Sequence, residues 1–476
     1  MGFNNVSQGL KPEEVEAMKV ACERAIAYRQ GVLDRPGKLD IDITEALHRF
    51  GGALPEEGRD PDTVIKELAD QADAGLLHLT SPRWFAYVAG SSHPAGVAAD
   101  TLVSAWGQNA AMAETTPATA AIEQTAGKWM LDLLGLPKDS GVGFVTGGTV
   151  ANSVGISAAR NALLHREGWD VEAKGLFGAP EISVVIGDEA HSSVYAALRY
   201  NGLGAERVHK VATDDDGRIL ADDFERVIAP LSAPILVIVQ AGHINSCGFD
   251  PFDKIIPVAH AKNAWVHVDG AFGLWMNSVP ELSPRLAGVE LADSWSTDLH
   301  KWLNAPYDAG LIISKDPVPL ARSMSERASY LPEVGAWDPS DYAMELSRRA
   351  RGVPSYAILK TLGKSGLREM VALHCRLAAR VAATIEAEPG LTVLNEVHGN
   401  QVAIRCGSGR DSDEMTRETL RIVHQEGDVY PSHGFWRGCE IIRISVISYA
   451  TQEDDVDRAA KAIIRAWKKA NKGRHD

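Results

Sequence analysis

The sequence predicts an α/β fold in which helices cover a mainly parallel central sheet and a smaller α+β domain follows at the C-terminus. Two patterns support this prediction. Between about residue 140 and residue 315, short β-branched runs alternate with helical stretches. These runs are apolar along their whole length, which is typical of strands buried on both faces of a parallel sheet. After Arg351 the pattern changes to a long helical stretch followed by short strands.

The chain divides into three predicted parts. Residues 1–85 hold helices that begin near Pro12 and Asp60, with apolar residues at helical intervals and acidic residues in the first turn. This segment is too thin to form its own core, so we expect it to pack on the protein body or on a second subunit. Residues 86–352 form the predicted large α/β domain, and residues 353–476 form the small α+β domain.

The predicted strands end where functional residues are expected. In the large domain they lie at 143–145, 183–187, 235–239, 265–268, 294–296 and 310–314. In the small domain we predict a helix over 355–387, strands at 391–395, 401–405 and 440–446, and a final helix from Asp454. Because ligands of parallel sheets bind at the carboxyl ends of strands, we expect the site directly after the large-domain strands.

Composition and charge argue against several classes of protein. The formal net charge of −15 disfavours a nucleic-acid binder, which needs a basic face to displace counterions. The longest apolar runs are far shorter than the ~20 residues that span a bilayer, and no secretory signal opens the chain, so no membrane role is expected. Five cysteines without C-x-x-C spacing favour a reducing compartment, and we expect a cytoplasmic protein.

A glycine turn and a histidine each follow a predicted strand. Gly147, Gly148 and Thr149 join a strand to a helix, where backbone N–H groups and a hydroxyl can bind a phosphate. The turn lacks the last glycine of G-x-G-x-x-G and the lysine of a P-loop, and its structural alternative is a tight helix entry. His191 can stack on a flat ring and move a proton. Its alternative is a helix-capping or core histidine.

Asp269 and Lys301 carry the clearest chemical signal. Asp269 ends a strongly apolar strand, where a carboxylate needs a partner such as a pyridinium N–H. A metal shared with His267 is the rival, but alternate strand residues point to opposite faces and H-E-x-x-H is absent, so no metal is expected. The Lys301 amine can form a Schiff base with the aldehyde of pyridoxal phosphate, although a lone lysine is more often a surface residue.

The order of glycine turn, histidine, aspartate and His-Lys resembles the group II pyridoxal-phosphate-dependent amino acid decarboxylases, which include aromatic amino acid, glutamate and histidine decarboxylases. Further matching segments lie at 81–90, 115–123, 129–137, 245–251, 347–352 and 430–448. The resemblance implies fold type I, as in aspartate aminotransferase, and a homodimer with active sites at the subunit interface. It also implies that the N-terminal helices wrap over the partner subunit.

The resemblance implies specific roles for the residues of the cofactor site. Lys301 would attach the cofactor, Asp269 would bind the pyridine nitrogen, and His191 would stack on the ring. The remaining cofactor-binding residues would be Gly147, Gly148, Thr149, Ala271 and His300, with Ala271 packing on the other face of the ring.

The substrate side is less defined by sequence. Arg443 matches a family arginine that meets a substrate carboxylate, with a structural ion pair as the alternative. Trp84, Tyr87 and Trp106 lie in segments that line the substrate side in relatives, but aromatic residues of large domains also form cores. We expect an aromatic L-amino acid as substrate, with an acidic one as the alternative.

The expected reaction is decarboxylation to the amine and carbon dioxide. Family members return a proton to Cα from a tyrosine on a loop, here 330–346, which contains Tyr330 and Tyr342. Neither tyrosine falls at the family position, which lies nearer Trp337 to Pro339. An aldehyde synthase, which couples decarboxylation to oxidative deamination, is therefore the first alternative. A non-catalytic protein that binds pyridoxal phosphate is another, and an aminotransferase on the same fold is disfavoured by the His-Lys pair.

Overall fold

A computed structural model describes residues 9–35, 39–325 and 337–472. In chain order its strands are β1 (Trp84–Phe85), β2 (Gly141–Val145), β3 (Ser183–Gly187), β4 (Val208–Val211), β5 (Ile235–Gln240), β6 (Trp265–Asp269), β7 (Ser294–Asp298), β8 (Gly310–Ser314), β9 (Leu391–Val393), β10 (Gln401–Cys406), β11 (Tyr430–Trp436) and β12 (Cys439–Ser445). The α-helices are α1 (Pro12–Gln30), α2 (Ile43–Phe50), α3 (Pro61–Ala72), α4 (Pro94–Trp106), α5 (Pro117–Leu133), α6 (Gly148–Arg166), α7 (Val171–Lys174), α8 (Ser192–Tyr200), α9 (Ala221–Ile228), α10 (Phe252–His260), α11 (Pro317–Met324), α12 (Gly352–Glu386), α13 (Ser412–Glu426) and α14 (Glu453–Lys472).

The central sheet has the predicted α/β character. Its seven strands run in the order β2-β8-β7-β6-β5-β3-β4. Strands β3 to β7 pair in parallel, whereas β8 is antiparallel to both β2 and β7. The runs I-L-V-I-V of β5 and W-V-H-V of β6 are buried throughout, as the sequence pattern predicts for strands with helices on both faces. The carboxyl ends of β5, β6 and β7 therefore meet at one edge.

The small domain is built on a second sheet of five strands, in the order β1-β11-β12-β10-β9. Its four C-terminal strands pair antiparallel, and α13 and α14 pack together beside them. Strand β1 comes from the N-terminal part of the chain and pairs in parallel with β11, Trp84 opposite Tyr430. Sequence did not predict this pairing, because a two-residue strand has no periodicity to detect. It ties the segment before α4 to the small domain.

Helix α12 links the two domains and is interrupted once. Gly363 has φ +62°, a left-handed conformation that glycine adopts without a Cβ clash. The predicted single helix over 355–387 is therefore two helical stretches joined at this residue. The first packs on α4 and α5 of the large domain, and α12 also packs on α14 of the small domain.

Contacts between side chains fasten the small domain to the large one. Trp436 Nε1 donates to Glu189 at 2.6 Å, and His398 Nε2 bonds to Asp216 at 2.9 Å. The other ring nitrogen of His398 accepts from Arg285 Nη1 at 2.9 Å. Both ring nitrogens of His398 already have protein partners, so neither is free to bind a metal ion. The acidic groups around His398 therefore contribute to a contact between the domains.

The N-terminal helices leave apolar side chains in solvent. Helix α2 is capped by Asp42, whose side chain accepts from the Glu45 N–H, yet none of its residues is buried. Ile43, Leu47 and Phe50 are all at least half exposed. The expectation that this segment packs on a second subunit stays a prediction. Across the described helices, none is both long and apolar enough to cross a membrane.

Candidate active site

A cleft of about 370 Å³ lies where the ends of β5, β6 and β7 face the N-terminus of α6. It brings together residues that are far apart in the sequence. The predicted site residues that line it are Gly147, Gly148, Thr149, His191, Asp269, Ala271, His300 and Lys301. Gln240, Ile244, Phe272 and Asp298 also line it and were not singled out from the sequence.

The glycine turn leaves open space at the start of α6. A Cβ atom at Gly147 would lie 2.9 Å from His300 Cε1, and one at Gly148 would lie 2.8 Å from Asp298 Oδ2. Side chains at these positions would therefore fill the end of the cleft. Without them, backbone N–H groups at the start of the 19-residue helix α6 border the cleft, although that of Gly148 already donates to Asp298. Both the phosphate-binding and the helix-entry interpretations of this turn are compatible with this geometry.

Asp298 is the main cleft residue that sequence reasoning missed. It ends β7 and is almost fully buried. One carboxylate oxygen accepts from the Gly148 N–H and lies 3.4 Å from His300 Nε2, and the other lies 2.9 Å from Lys301 Nζ. Its sequence signal was the same as that of Asp269, a carboxylate at the end of a buried strand.

Lys301 is held from two sides. Its ammonium pairs with Asp298, and the next two residues, Trp302 and Leu303, are fully buried and anchor the turn. The amine therefore lies beside a carboxylate, although the residues that follow it in the sequence are apolar. Gly90 packs against the main chain here, because a Cβ atom at Gly90 would overlap the carbonyl oxygen of Lys301.

Asp269 and His191 both line the cleft and interact electrostatically. Asp269 is buried, accepts from the Ala271 N–H at 3.2 Å, and forms no ion pair with a lysine or arginine of the described residues. Desolvation by the surrounding cleft lowers the pKa of His191, although the residue is still accessible to solvent and the negative charge of Asp269 opposes that shift. His191 also caps α8 by accepting from the Ser193 N–H at 3.2 Å. The same His191 side chain therefore caps α8 and lines the cleft.

The histidine before the lysine is held by its neighbours. Burial lowers the pKa of His300, and its Nδ1 accepts from the Ala309 N–H at 3.4 Å. The ring of Tyr307 lies against it, with centroids 4.4 Å apart. Sequence gave no signal for Tyr307, which lies in a turn after the lysine.

Buried polar groups support β6 and β7 from behind the cleft. His267 bonds Ser294 Oγ at 2.8 Å and Asn152 Oδ1 at 3.0 Å, and Ser296 donates to the same Asn152 oxygen. Burial lowers the pKa of His267 to about 3, so the ring stays neutral. His267 is therefore a structural residue of the sheet and does not join Asp269 in a metal site.

Arg443 approaches the cleft from the small domain. Its Nη1 donates to the Ile244 carbonyl at 3.3 Å and to Asn245 Oδ1 at 3.1 Å, while its Nε has no hydrogen-bond partner among the described residues. Burial lowers the pKa of Arg443 to about 10. No carboxylate of the described chain pairs with it, so the structural ion-pair alternative lacks a partner. Tyr87 interacts electrostatically with the Arg443 guanidinium, and Tyr87 itself is 62% exposed.

Arg443 and Tyr87 lie outside the residues that line the cleft, and so do the other predicted substrate residues of the described chain. Trp84 is buried and stacks on Tyr430, with centroids 4.4 Å apart, and Trp106 ends α4 half exposed. Tyr342 is buried in an apolar cluster and lines a separate cavity of about 270 Å³ with Trp337. Tyr330 lies outside the described residues.

The residues of the cleft fit pyridoxal phosphate. The start of α6 suits a phosphate, and Lys301 supplies the amine. The carboxylate of Asp269, which has no lysine or arginine partner among the described residues, suits a protonated ring nitrogen. The exception is Asp298, whose carboxylate is already bonded to the Gly148 N–H.

Comparisons with known proteins agree with this fit. Among curated proteins, the chain is 28% identical to tryptophan decarboxylase 1 of Oryza sativa subsp. japonica over 432 residues, which cover 84% of this chain and 83% of the relative. It is 26% identical to the aromatic-L-amino-acid decarboxylase of Bacillus atrophaeus, covering 92% of each chain. It is also 26% identical to the 4-hydroxyphenylacetaldehyde synthase of Rhodiola rosea, covering 94% of this chain and 93% of that one.

Solved structures show the same fold. The crystal structure of Oryza sativa TDC with PLP and tryptamine superposes with a TM-score of 0.89 at 24% identity, covering 98% of this chain and 99% of that chain. The predicted fold type I is thereby confirmed. Residues 45–406 match the pyridoxal-dependent decarboxylase conserved domain. The chain therefore belongs to the pyridoxal-dependent decarboxylase family, as its motifs predict, and its cofactor is pyridoxal phosphate.

Proposed function

We propose that this protein decarboxylates an aromatic L-amino acid to the corresponding amine and carbon dioxide, with Lys301 as the residue that attaches the cofactor. One observation carries the proposal. Lys301, Asp269, His191 and the start of α6 come from four separate elements, yet they line a single cleft. Their chemistry matches an amine, a ring-nitrogen acceptor, a stacking imidazole and a phosphate site.

The chemistry at the substrate Cα depends on the cofactor and on Asp269. When bound, pyridoxal phosphate supplies an electron sink for the electron pair that remains at Cα after carbon dioxide leaves. Asp269 would keep a proton on the ring nitrogen. Its burial and its lack of a cationic partner in the described chain favour this role, because a buried carboxylate is costly without one.

His191 would hold the ring and carry a proton. Its Nδ1 accepts the Ser193 N–H, so a neutral ring bears its proton on Nε2. Its lowered pKa favours that neutral form near pH 7. A neutral imidazole can stack on an aromatic ring without placing a second cation beside Lys301.

Arg443 would orient the carboxylate of the substrate. Its guanidinium is buried beside Ile244, which lines the cleft, and its Nε is without a partner among the described residues. Holding the carboxylate fixes which Cα bond stands perpendicular to the cofactor ring, and that bond is the one that breaks. Tyr87, exposed near this arginine, would contact the aromatic side chain.

Support for an aromatic substrate comes from the relatives. Several of them are named for tryptophan, tyrosine or other aromatic amino acids. An acidic substrate is the alternative, and it would need a cation for its side-chain carboxylate in addition to Arg443.

Aldehyde synthesis is the second candidate function. In that reaction the amino acid, dioxygen and water give the aldehyde, carbon dioxide, ammonia and hydrogen peroxide. Tyr342, one of two candidate proton donors on the loop, is buried in an apolar cluster away from the cleft. Curated relatives also include aldehyde synthases. Without a tyrosine that returns a proton to Cα, the substrate would be open to oxidation by dioxygen.

We also propose a cytoplasmic homodimer whose N-terminal helices pack on the partner subunit. The exposed apolar residues of α2 support a covered face. All five cysteines are free, which suits a reducing compartment.

The test is a product assay on the protein loaded with pyridoxal phosphate. Tryptophan, tyrosine, phenylalanine and glutamate would each be supplied, and carbon dioxide, amine, aldehyde and hydrogen peroxide would be quantified. Equal carbon dioxide and amine from an aromatic substrate support the proposal. Equal aldehyde and peroxide without amine would select the synthase, and product from glutamate alone would select the acidic alternative. Cofactor binding without any product would indicate a non-catalytic protein.

A further inference from the structure

We propose that Asp298 is an internal anion at the phosphate end of the cofactor cleft. In the cofactor-free protein its carboxylate holds the Lys301 ammonium and the start of α6, and it weakens the binding of a phosphate ester there. This inference rests on the phosphate and lysine roles proposed above.

The geometry of Asp298 is that of an anion already in place. One carboxylate binds three donors of the cofactor site: the Gly148 N–H, the Lys301 ammonium at 2.9 Å and, more loosely, His300 Nε2 at 3.4 Å. The carboxylate is buried, so water does not screen its charge. The free N–H groups at the start of a helix attract anions, and here one of them is bonded to a side chain of the same protein.

The charges around the phosphate end make a second anion costly. Lys301 is the lysine or arginine that lines the cleft among the described residues, and its ammonium is already paired with Asp298. Desolvation favours the neutral forms of His191 and His300. A phosphate monoester carries about −1.5 to −2 charges at pH 7. It would therefore share the start of α6 with the Asp298 carboxylate, which already accepts from the Gly148 N–H.

Two consequences follow for the cofactor-free and the loaded protein. Without cofactor, Asp298 keeps Lys301 in a single position, so it is a positioning residue for the amine. With cofactor, the carboxylate must give up the Gly148 N–H or share it, and part of the phosphate's binding energy is lost to repulsion. Replacing the carboxylate with a neutral group should therefore strengthen binding of the phosphorylated aldehyde selectively.

The experiment compares pyridoxal phosphate with pyridoxal, which lacks the phosphate. Each aldehyde is titrated into cofactor-free protein, and the absorption band of the lysine-bound form gives its affinity. Both condense with the Lys301 amine and release water, so changes at the lysine cancel in the ratio of the two affinities. For Asp298→Asn we expect this ratio to rise by about tenfold, equivalent to about 1.4 kcal/mol.

Two further variants complete the design. Asp298→Ser removes the charge with a smaller side chain and should shift the ratio in the same direction. Asp188→Asn is the control, because it removes one negative charge just after β3, at the same edge of the sheet. The Asp188 carboxylate accepts a hydrogen bond from Thr213 and not from the α6 turn. This control should leave the ratio unchanged.

The outcomes separate this inference from the proposed function. A ratio that is unchanged or lower in a folded Asp298 variant overturns the inference alone, provided that both aldehydes give the band in the unaltered protein. If neither aldehyde gives a band there, the proposed role of Lys301 fails and the inference falls with it.

A measurement on the unaltered protein needs no variant. Because Asp298 already holds the start of α6, inorganic phosphate should compete only weakly with pyridoxal phosphate. An inhibition constant above about 1 mM is expected, and a value well below that contradicts the inference.

Discussion

Gly90 lies so close to the main chain of Lys301 that a Cβ atom at position 90 would overlap the Lys301 carbonyl oxygen. The absence of a side chain at Gly90 therefore allows the main chain of the lysine turn to pack closely here. The segment around it is unusual as well, because Tyr87 and Val88 both have positive φ, 61° and 54°. Backbone strain of this kind persists only where surrounding structure enforces it.

Gly90→Ala is expected to displace the turn that carries Lys301. Overpacking of a tight site costs about 1–3 kcal/mol, so we expect lower stability together with a weaker absorption band of the bound cofactor. The measurements are thermal unfolding and titration with pyridoxal phosphate. Gly58→Ala is the matched control, because a Cβ atom there meets open space. Normal cofactor binding by Gly90→Ala would refute the close packing.

Arg443→Met should weaken substrate binding without affecting the cofactor. Removing the cation that orients the substrate carboxylate is expected to lower kcat/KM about 100-fold, or about 2.7 kcal/mol, mainly through KM. The absorption band of the cofactor should be unchanged. Arg405→Met on β10, where the arginine lies near Asp413, serves as control. A loss confined to cofactor binding would argue against the assignment.

The pH dependence of stability is expected to reflect His374. Trp302 Nε1 donates to its Nδ1 at 3.0 Å and its Nε2 bonds the Ser448 carbonyl at 2.9 Å, which fixes a neutral ring. Burial lowers the pKa of His374 to about 4 from the usual 6.5. Between those values the unfolded chain binds more protons, so the stabilisation is complete above pH 6.5 and is lost as the pH falls toward 4.

The size of this effect is about 3 kcal/mol at most. Urea unfolding at pH 7 and pH 5 should show a smaller pH dependence for His374→Gln than for the unaltered protein. His48→Gln removes an exposed imidazole on α2 and should leave the dependence intact. Equal slopes for His374→Gln and the unaltered protein would contradict this account.

A buried ion pair should matter far more than an exposed one. Arg348 pairs with Glu123 where both side chains are almost fully buried, and its Nη1 also donates to the Phe144 carbonyl on β2 at 3.2 Å. Glu123→Gln is expected to cost about 3–5 kcal/mol, because it leaves a buried guanidinium without its counterion. Glu181→Gln, which breaks the exposed pair with Arg207, should cost under about 1 kcal/mol. Chemical denaturation measures both, and similar losses would count against the argument from burial.

Local patterns were enough to predict the fold and the centre of the cleft. Polar residues at the ends of buried strands, such as Asp269, stand out because apolar neighbours make them costly. Asp298 also ends a buried strand, but the prediction for that segment rested on the adjacent His300 and Lys301 instead. Its bond to the Gly148 N–H joins positions far apart in the chain, and spacing does not reveal such a contact.

The aromatic residues show why the substrate side was harder to predict. Trp84 and Tyr342 are buried in packing clusters, whereas Tyr87 is exposed near Arg443. The hydrophobic effect favours burying an aromatic ring equally in a core or in a ligand pocket. Residue type alone therefore does not separate these cases, and the difference arises only from tertiary packing.

The attachment of the cofactor to Lys301 is tested most directly by chemical trapping. The protein loaded with pyridoxal phosphate would be reduced with borohydride, digested and analysed by peptide mass spectrometry, with Lys301→Ala and Lys315→Ala processed in parallel. We predict a single stable pyridoxyl adduct on Lys301, lost in Lys301→Ala and kept in Lys315→Ala. An adduct on another lysine, or none in the unaltered protein, would contradict the account.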